Sequence, residues 1–91
     1  MLGVRYRGFR IEVSRSACAE LLREDLDLYD VLEVLEKGFE PQKRKKDIVE
    51  RCLVRGNKVI KAVVALNDRR HPEGDIEHYW TLIHAGRFTK K

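Results

Sequence analysis

The sequence predicts a single α+β domain spanning residues 1–91, ordered β-α-α-β-β-β. Two N-terminal helices are expected to pack on one face of a small, mainly antiparallel sheet. Three observations predict this. Val59 to Leu66 is apolar apart from Lys61 and rich in β-branched residues, the pattern of a strand covered on both faces. Leu28, Val31, Leu32 and Leu35 fall at i, i+3, i+4 and i+7, the stripe of an amphipathic helix. Ile76 to Ala85 alternates, with Ile76, His78, Trp80, Leu82 and His84 on one face and Glu77, Tyr79, Thr81, Ile83 and Ala85 on the other. Ninety-one residues leave room for one core only.

Taken in order, Val4 and Tyr6, then Phe9, Ile11 and Val13, are apolar at period two on either side of Arg7-Gly8. The break of phase suits a bulge in one strand or a tight turn between two short ones. One irregular edge strand is preferred, with Arg5, Arg7 and Arg10 pointing outward, as edge strands carry charge to discourage pairing with other chains. Ser14 or Ser16 can cap a helix in which Ala17, Cys18, Leu21 and Leu22 share a face. Asp27 caps the second helix, Lys37 occupies its last turn and Gly38 is the residue expected just past its end. Ile48 to Arg55 reads as a strand, and Gly56-Asn57 as a two-residue type II′ turn into the Val59–Leu66 strand. Asn67 to Asp75 is expected to be a polar loop, with the last strand following. The sheet face away from the helices is left to be open or covered by loops and tail.

Charge is sharply segregated. Residues 1–19 carry +3 (four Arg, one Glu), residues 20–40 carry −6 (two bases, eight acids) and residues 41–91 carry +7 (thirteen bases, six acids), for a net +4. A basic sheet region beside an acidic helical one suits a polyanionic partner. The charged share of 37%, with few amide residues, is the composition of a heat-adapted protein. Cys18 and Cys52 lack the short spacing of metal ligands and read as two small buried hydrophobes. No metal or other cofactor is expected. Met1 to Arg5 has no apolar run ahead of its charges, so no signal peptide is expected, and no segment reaches membrane-spanning length. A soluble, cytoplasmic protein follows as the expectation.

The helix motif Leu28-x-Asp30-Val31-x-x-x-Leu35-x-x-Gly38, the hairpin from Ile48 to Leu66, and the final strand Tyr79-Trp80-Thr81-Leu82-Ile83 ending in bases resemble a small family of prokaryotic domains. That family is grouped with the RelE/ParE-type toxins, alongside MqsR and BrnT. The chain departs from it in the first helix, where the family often has a His-Ala pair and this sequence has Ser16-Ala17-Cys18. The resemblance implies an RNA- or ribosome-directed toxin scaffold that is held inactive by a small acidic antitoxin-like partner. It also implies working Arg, Lys, His or Tyr residues on the concave sheet face and near the C-terminus. The matching positions are Arg69, Arg70, His71, His84, Arg87 and Lys90.

Metal-independent RNA cleavage needs a base for the 2′-hydroxyl proton, an acid for the leaving oxygen and cations for the phosphate. His84 near the end of the last strand, with Arg87 three residues on, is the expected base and phosphate clamp. Lys43, Arg44, Lys45 and Lys46, with Arg69, Arg70, His71 and Lys90, are the expected nucleic-acid contacts. Tyr79 can stack on a base, whereas Trp80, among apolar neighbours, and His78, deeper in the strand, read as structural. The chain has no Gly-rich phosphate loop and no nucleophile elbow. The alternatives are a non-catalytic module binding an acidic peptide by strand addition, and a degenerate toxin fold kept for a structural role.

Overall fold

The computed structural model describes residues 3–89. Its order is β1 (Arg5–Tyr6), β2 (Phe9–Val13), α1 (Arg15–Glu24), α2 (Leu28–Lys37), β3 (Ile48–Arg55), β4 (Lys58–Arg70) and β5 (Ile76–Thr89). This corrects the expected β-α-α-β-β-β order and the expected helices-on-one-face architecture. The chain forms β-β-α-α-β-β-β, and its five strands make one mixed, curled sheet, a half-barrel, in the order β1-β2-β5-β4-β3.

The first departure begins at Arg7-Gly8. Both residues have positive φ, 52° and 85°, the signature of a two-residue type I′ turn. Two short strands result, with Tyr6 opposite Phe9 and Arg5 opposite Arg10. The turn frees β2 to lie inside the sheet, parallel to β5, with Ile11 opposite Trp80 and Val13 opposite Leu82. The Trp80 indole N–H donates to the Tyr6 carbonyl at 2.9 Å, giving a buried aromatic its one required partner.

Curvature is the second departure. Helix α2 contacts β1 and also β3 and β4, although β1 and β3 are opposite edges of the sheet. Strands spaced about 4.8 Å apart would hold those edges about 19 Å apart in a flat sheet. The sheet therefore wraps the helix instead of carrying it as a flat layer. Val31, Val34 and Leu35 fill the concavity with Ile60, Ala62, Val64, Leu82 and Ala85, while Ala17 and Leu21 of α1 close the same cluster. A register shift between Val63 and Val64, where Val63 faces His84 and Val64 faces Leu82, is a bulge of the kind that bends a strand.

Helix ends follow local chemistry. The Ser14 hydroxyl accepts from the Ala17 N–H at 3.2 Å. Asp27 and Asp30 form a reciprocal capping box at 2.9 and 3.0 Å. Gly38 follows the helix as expected, with φ −78°. Glycine is required there because any Cβ would fall inside 3.0 Å of the Val34 and Cys52 carbonyl oxygens. That close approach lets Phe39 exchange two 2.8 Å backbone hydrogen bonds with Cys52 and so cover the outer edge of β3. Leu22, expected in the α1 stripe, is 78% exposed, and Cys18 is exposed while Cys52 is buried.

Gly56 has φ 60° while Asn57 does not join the positive-φ residues, as the expected type II′ turn requires. Beyond it β4 runs on to Arg70, so most of the expected 67–75 loop is strand. Only the His71–Asp75 turn remains, closed by His71 N–H to the Asp75 carbonyl at 2.8 Å. Strand β4 is covered on both faces from Val59 to Val64, yet β5 occupies the middle of the sheet. No helix among the described residues is long and apolar enough to cross a membrane.

Candidate nucleic-acid interface

Because side chains alternate across a strand, the inward row Ile60, Ala62 and Val64 assigns Lys61, Val63, Ala65, Asn67 and Arg69 to the convex face of β4. The register carries the assignment to its neighbours: Glu50, Cys52 and Val54 on β3, and Tyr79, Thr81, His84, Gly86 and Phe88 on β5. Three polar groupings lie along this face.

At its β3 side, Glu50 is 2% exposed. One carboxylate oxygen accepts from Gln42 Nε2 at 3.2 Å and Arg44 Nη1 at 3.1 Å. The other lies 3.2 Å from Lys61 Nζ. Burial pushes the Glu50 carboxyl up, but the Gln42 and Lys61 hydrogen bonds and the charges of Lys61 and Arg44 together hold it below its ordinary value. The loop from Phe39 to Asp47 is thus pinned across the convex face, and it covers part of the sheet side left unassigned by the sequence. Cys52 lies beneath it, its thiol pushed up by burial and by the Glu50 charge.

At the opposite end, six residues past Val63, Arg69 Nη2 donates to both Glu12 oxygens, at 2.9 and 3.0 Å, and its guanidinium stacks 4.6 Å over the Tyr79 ring. Arg10 bridges Glu12 at 3.0 Å and Glu77 at 3.3 Å. His71 Nε2 lies 3.1 Å from Glu77. The Arg69 hydrogen bond, more than its charge, holds the Glu12 carboxyl below the usual range.

The third grouping is on β5 beside α1. His84 is 59% exposed at its side chain, with Nδ1 3.6 Å from Glu20 Oε1, and that same oxygen accepts from the Ala85 N–H at 3.1 Å. Arg87 lies on the other face of β5 and donates to the Glu24 carbonyl at 2.6 Å. Glu20 and Glu24 are one helical turn apart, so α1 takes up both members of the expected base-and-clamp pair. They do not converge on a shared cavity.

The structure brings Arg44, Arg69, His71 and His84 to one face. It separates them from Arg70 and Arg87, which share the alternation of the concave face. Lys43, Lys45 and Lys46 are exposed on the pinned loop, and among the described residues they pair with no carboxylate. Lys90 lies outside the described residues. Sequence reasoning missed Glu50 and Lys61, the centre of the loop anchor. The only trace of Glu50 was an acid beside apolar Val49, with no periodic signal of burial. It also missed Phe88 and Phe39, which are 51% and 54% exposed. His78, read as structural, has Nδ1 2.5 Å from Asp68 and its ring 5.5 Å from Phe9. No group of three or more His, Cys, Asp or Glu among the described residues could hold a metal ion.

These features define a small α+β domain with a polar, cation-bearing convex sheet. No protein-family model, curated protein or solved structure matches the chain.

Proposed function

We propose that the chain is a toxin-like, RNA- or ribosome-directed protein of the RelE/ParE type, acting through the convex face of its sheet. The observation supporting this reading is the exposed run of Lys43, Lys45 and Lys46 on the loop anchored to the convex face, three ammonium groups that pair with no carboxylate among the described residues. The acidic helix α2 sits in the concavity, where Asp30 and Glu33 are paired with Arg55. On the convex side Arg44 and Lys61 are paired with Glu50 and Arg69 with Glu12, so the loop lysines carry its unpaired positive charge among the described residues. Phosphate contacts of this kind confer affinity without sequence preference and with steep salt dependence. Binding, more than cleavage, is favoured by the geometry, because His84 and Arg87 are engaged separately by Glu20 and Glu24.

Induced expression with RNA integrity followed over time tests this reading. Growth arrest with intact RNA marks a ribosome-directed binder. Fragmentation abolished by His84→Ala marks a metal-independent endoribonuclease. Normal growth, together with no RNA binding at low salt, removes the proposal.

One observation supports a second reading, a non-catalytic module that binds a protein partner. A cleft of about 530 Å³ opens between the two sheet edges, lined by Tyr6, Arg7, Leu35, Glu36, Gly38, Glu40 and Arg51, with Arg51 paired to Glu40. Capture of a small protein that is lost in Arg7→Glu would support it.

A further inference from the structure

We infer that the end of the convex face around Phe88 and Phe39 is a stacking platform for unpaired RNA, an inference that rests on the RNA-directed reading above. Phe88 stands opposite Val59, which stands opposite Val54, and the three form one cross-strand row. The adjacent row on the same face is Phe39, Cys52, Lys61 and Gly86. Phe88 and Phe39 are each more than half exposed, whereas Val59 and Cys52 beside them in their rows are buried. The rings therefore project further into solvent than their row neighbours. A Cβ placed on Gly86 would meet nothing within 4 Å, so the strand beside Phe88 is a flat, open ledge.

Phe88, Phe39 and Val54 are exposed apolar side chains in two adjacent rows, a patch of the kind that marks an interaction site, and the surroundings indicate the partner. Lys61 lies between the two rings in the register, and the loop carrying Lys43, Lys45 and Lys46 begins at Phe39 itself. Apolar rings interleaved with cations match a strand of stacked bases and phosphates. An apolar protein surface would leave the ammonium groups of Lys43, Lys45 and Lys46 buried without partners, since Lys61 alone already has one in Glu50. Strand spacing sets Phe39 and Phe88 about 15 Å apart, so two bases would be held on separate rings. Bases inside a duplex have no free face to offer them.

The test is fluorescence anisotropy with a labelled mixed-sequence 12-nucleotide RNA, single-stranded and as its duplex, over a salt series. The single strand is expected to bind at least about ten-fold more tightly than the duplex. Phe88→Ala is expected to lose about ten-fold or more of that affinity at unchanged salt slope, with Phe88→Trp restoring it. Circular dichroism confirms that each variant is folded. Equal duplex binding, or an unaffected Phe88→Ala, overturns the platform. The broader RNA reading then still stands if replacement of Lys43, Lys45 and Lys46 weakens binding. If neither RNA form binds at low salt, the broader reading falls too. Self-association that disappears in Phe88→Ala would identify the patch as a contact between copies and overturn the platform.

Discussion

Glu50 offers the sharpest test of how this fold holds its convex face. Its carboxylate is almost fully buried and receives Gln42, Arg44 and Lys61 within 3.2 Å. Two of these donors belong to the middle of a loop whose ends are held by the Phe39–Cys52 bridge and by the Leu66 N–H to Asp47 carbonyl bond. Hydrogen bonds to a charged group contribute about 1.5–3 kcal/mol each, but the sum must be discounted. Arg44 and Lys61 have side chains 35% and 39% exposed, so both return to water once the acid is gone. What is lost is the ordering of the loop and the Gln42 contact, and what is gained is a cavity beside Cys52. We expect Glu50→Ala to cost about 2–4 kcal/mol and Glu50→Gln about 1–2 kcal/mol. In a chain of this size 1 kcal/mol moves Tm by about 4–8 °C. Urea unfolding should show a lower midpoint at unchanged slope. Limited trypsinolysis should show faster cleavage at Arg44–Lys46 than in a Glu73→Ala control on the exposed turn. A Glu50→Ala protein within about 0.5 kcal/mol of wild type, with no faster cleavage at this loop, would refute the anchoring role.

The other expectations are simpler. Replacing Lys43, Lys45 and Lys46 together by alanine should reduce the salt slope of single-stranded RNA binding by about 2, at about 0.7 per phosphate contact, with Tm unchanged. Leu82→Ala removes a fully buried side chain at the centre of the concave core and should destabilise by about 2–5 kcal/mol in urea melts. Gly38→Ala should destabilise despite the better helix propensity of alanine, because its Cβ collides with two backbone carbonyls. Hydrogen exchange should show the Phe39–Cys52 bridge opening first in that variant. Acid should also act through defined groups. Glu12, Asp30 and Glu50 all have carboxyls held below their ordinary values of 4.5, 3.8 and 4.5, so the unfolded chain binds their protons more readily. Their stabilisation is complete above the unfolded values and is lost as pH falls through the depressed folded ones. Tm should therefore drop as pH goes below 4.5, and less steeply in Glu50→Gln.

Both helices, the β3–β4 hairpin and its turn were legible in the sequence because each rests on local signals. Asp27 caps, Leu28 to Leu35 stripe, and Gly56 supplies a positive φ whatever the rest of the chain does. The curl was not legible. It depends on a left-handed Arg7, which statistics of side-chain preference disfavour, and on a bulge at Val63/Val64 that keeps the alternating pattern intact on either side. Both let β2 insert in parallel beside β5, a pairing between residues nearly 70 positions apart in sequence. The candidate site was half legible. The 43–46 run and Arg69 were visible as charge, but their partners Glu50 and Glu12 lie on other strands and became relevant only through the register. His84 and Arg87 looked like a pair at spacing three, which on a strand places them on opposite faces.

The curl also explains why the convex side is the one available for a ligand. Wrapping the sheet around α2 uses up the concave apolar row from Ile60 to Val64 on β4 and from Trp80 to Ala85 on β5. The convex row must then face water or a covering loop, and a strand with apolar residues on both faces cannot do the first throughout. The chain resolves this unevenly. Over Cys52 and Val63 the loop is drawn down by Glu50, which buries them. Around Glu12 and Arg69, charged pairs replace apolar side chains altogether. At Phe88, Phe39 and Val54 neither device operates, and large apolar groups are left in water. An uncovered patch bordered by Lys61 and the loop lysines is therefore the place where the fold is incomplete on its own. If Phe88→Ser, which removes the ring without touching the core, left RNA binding intact while raising solubility, the patch would be only a packing remainder. A loss of binding at unchanged Tm would tie the exposed rings to recognition.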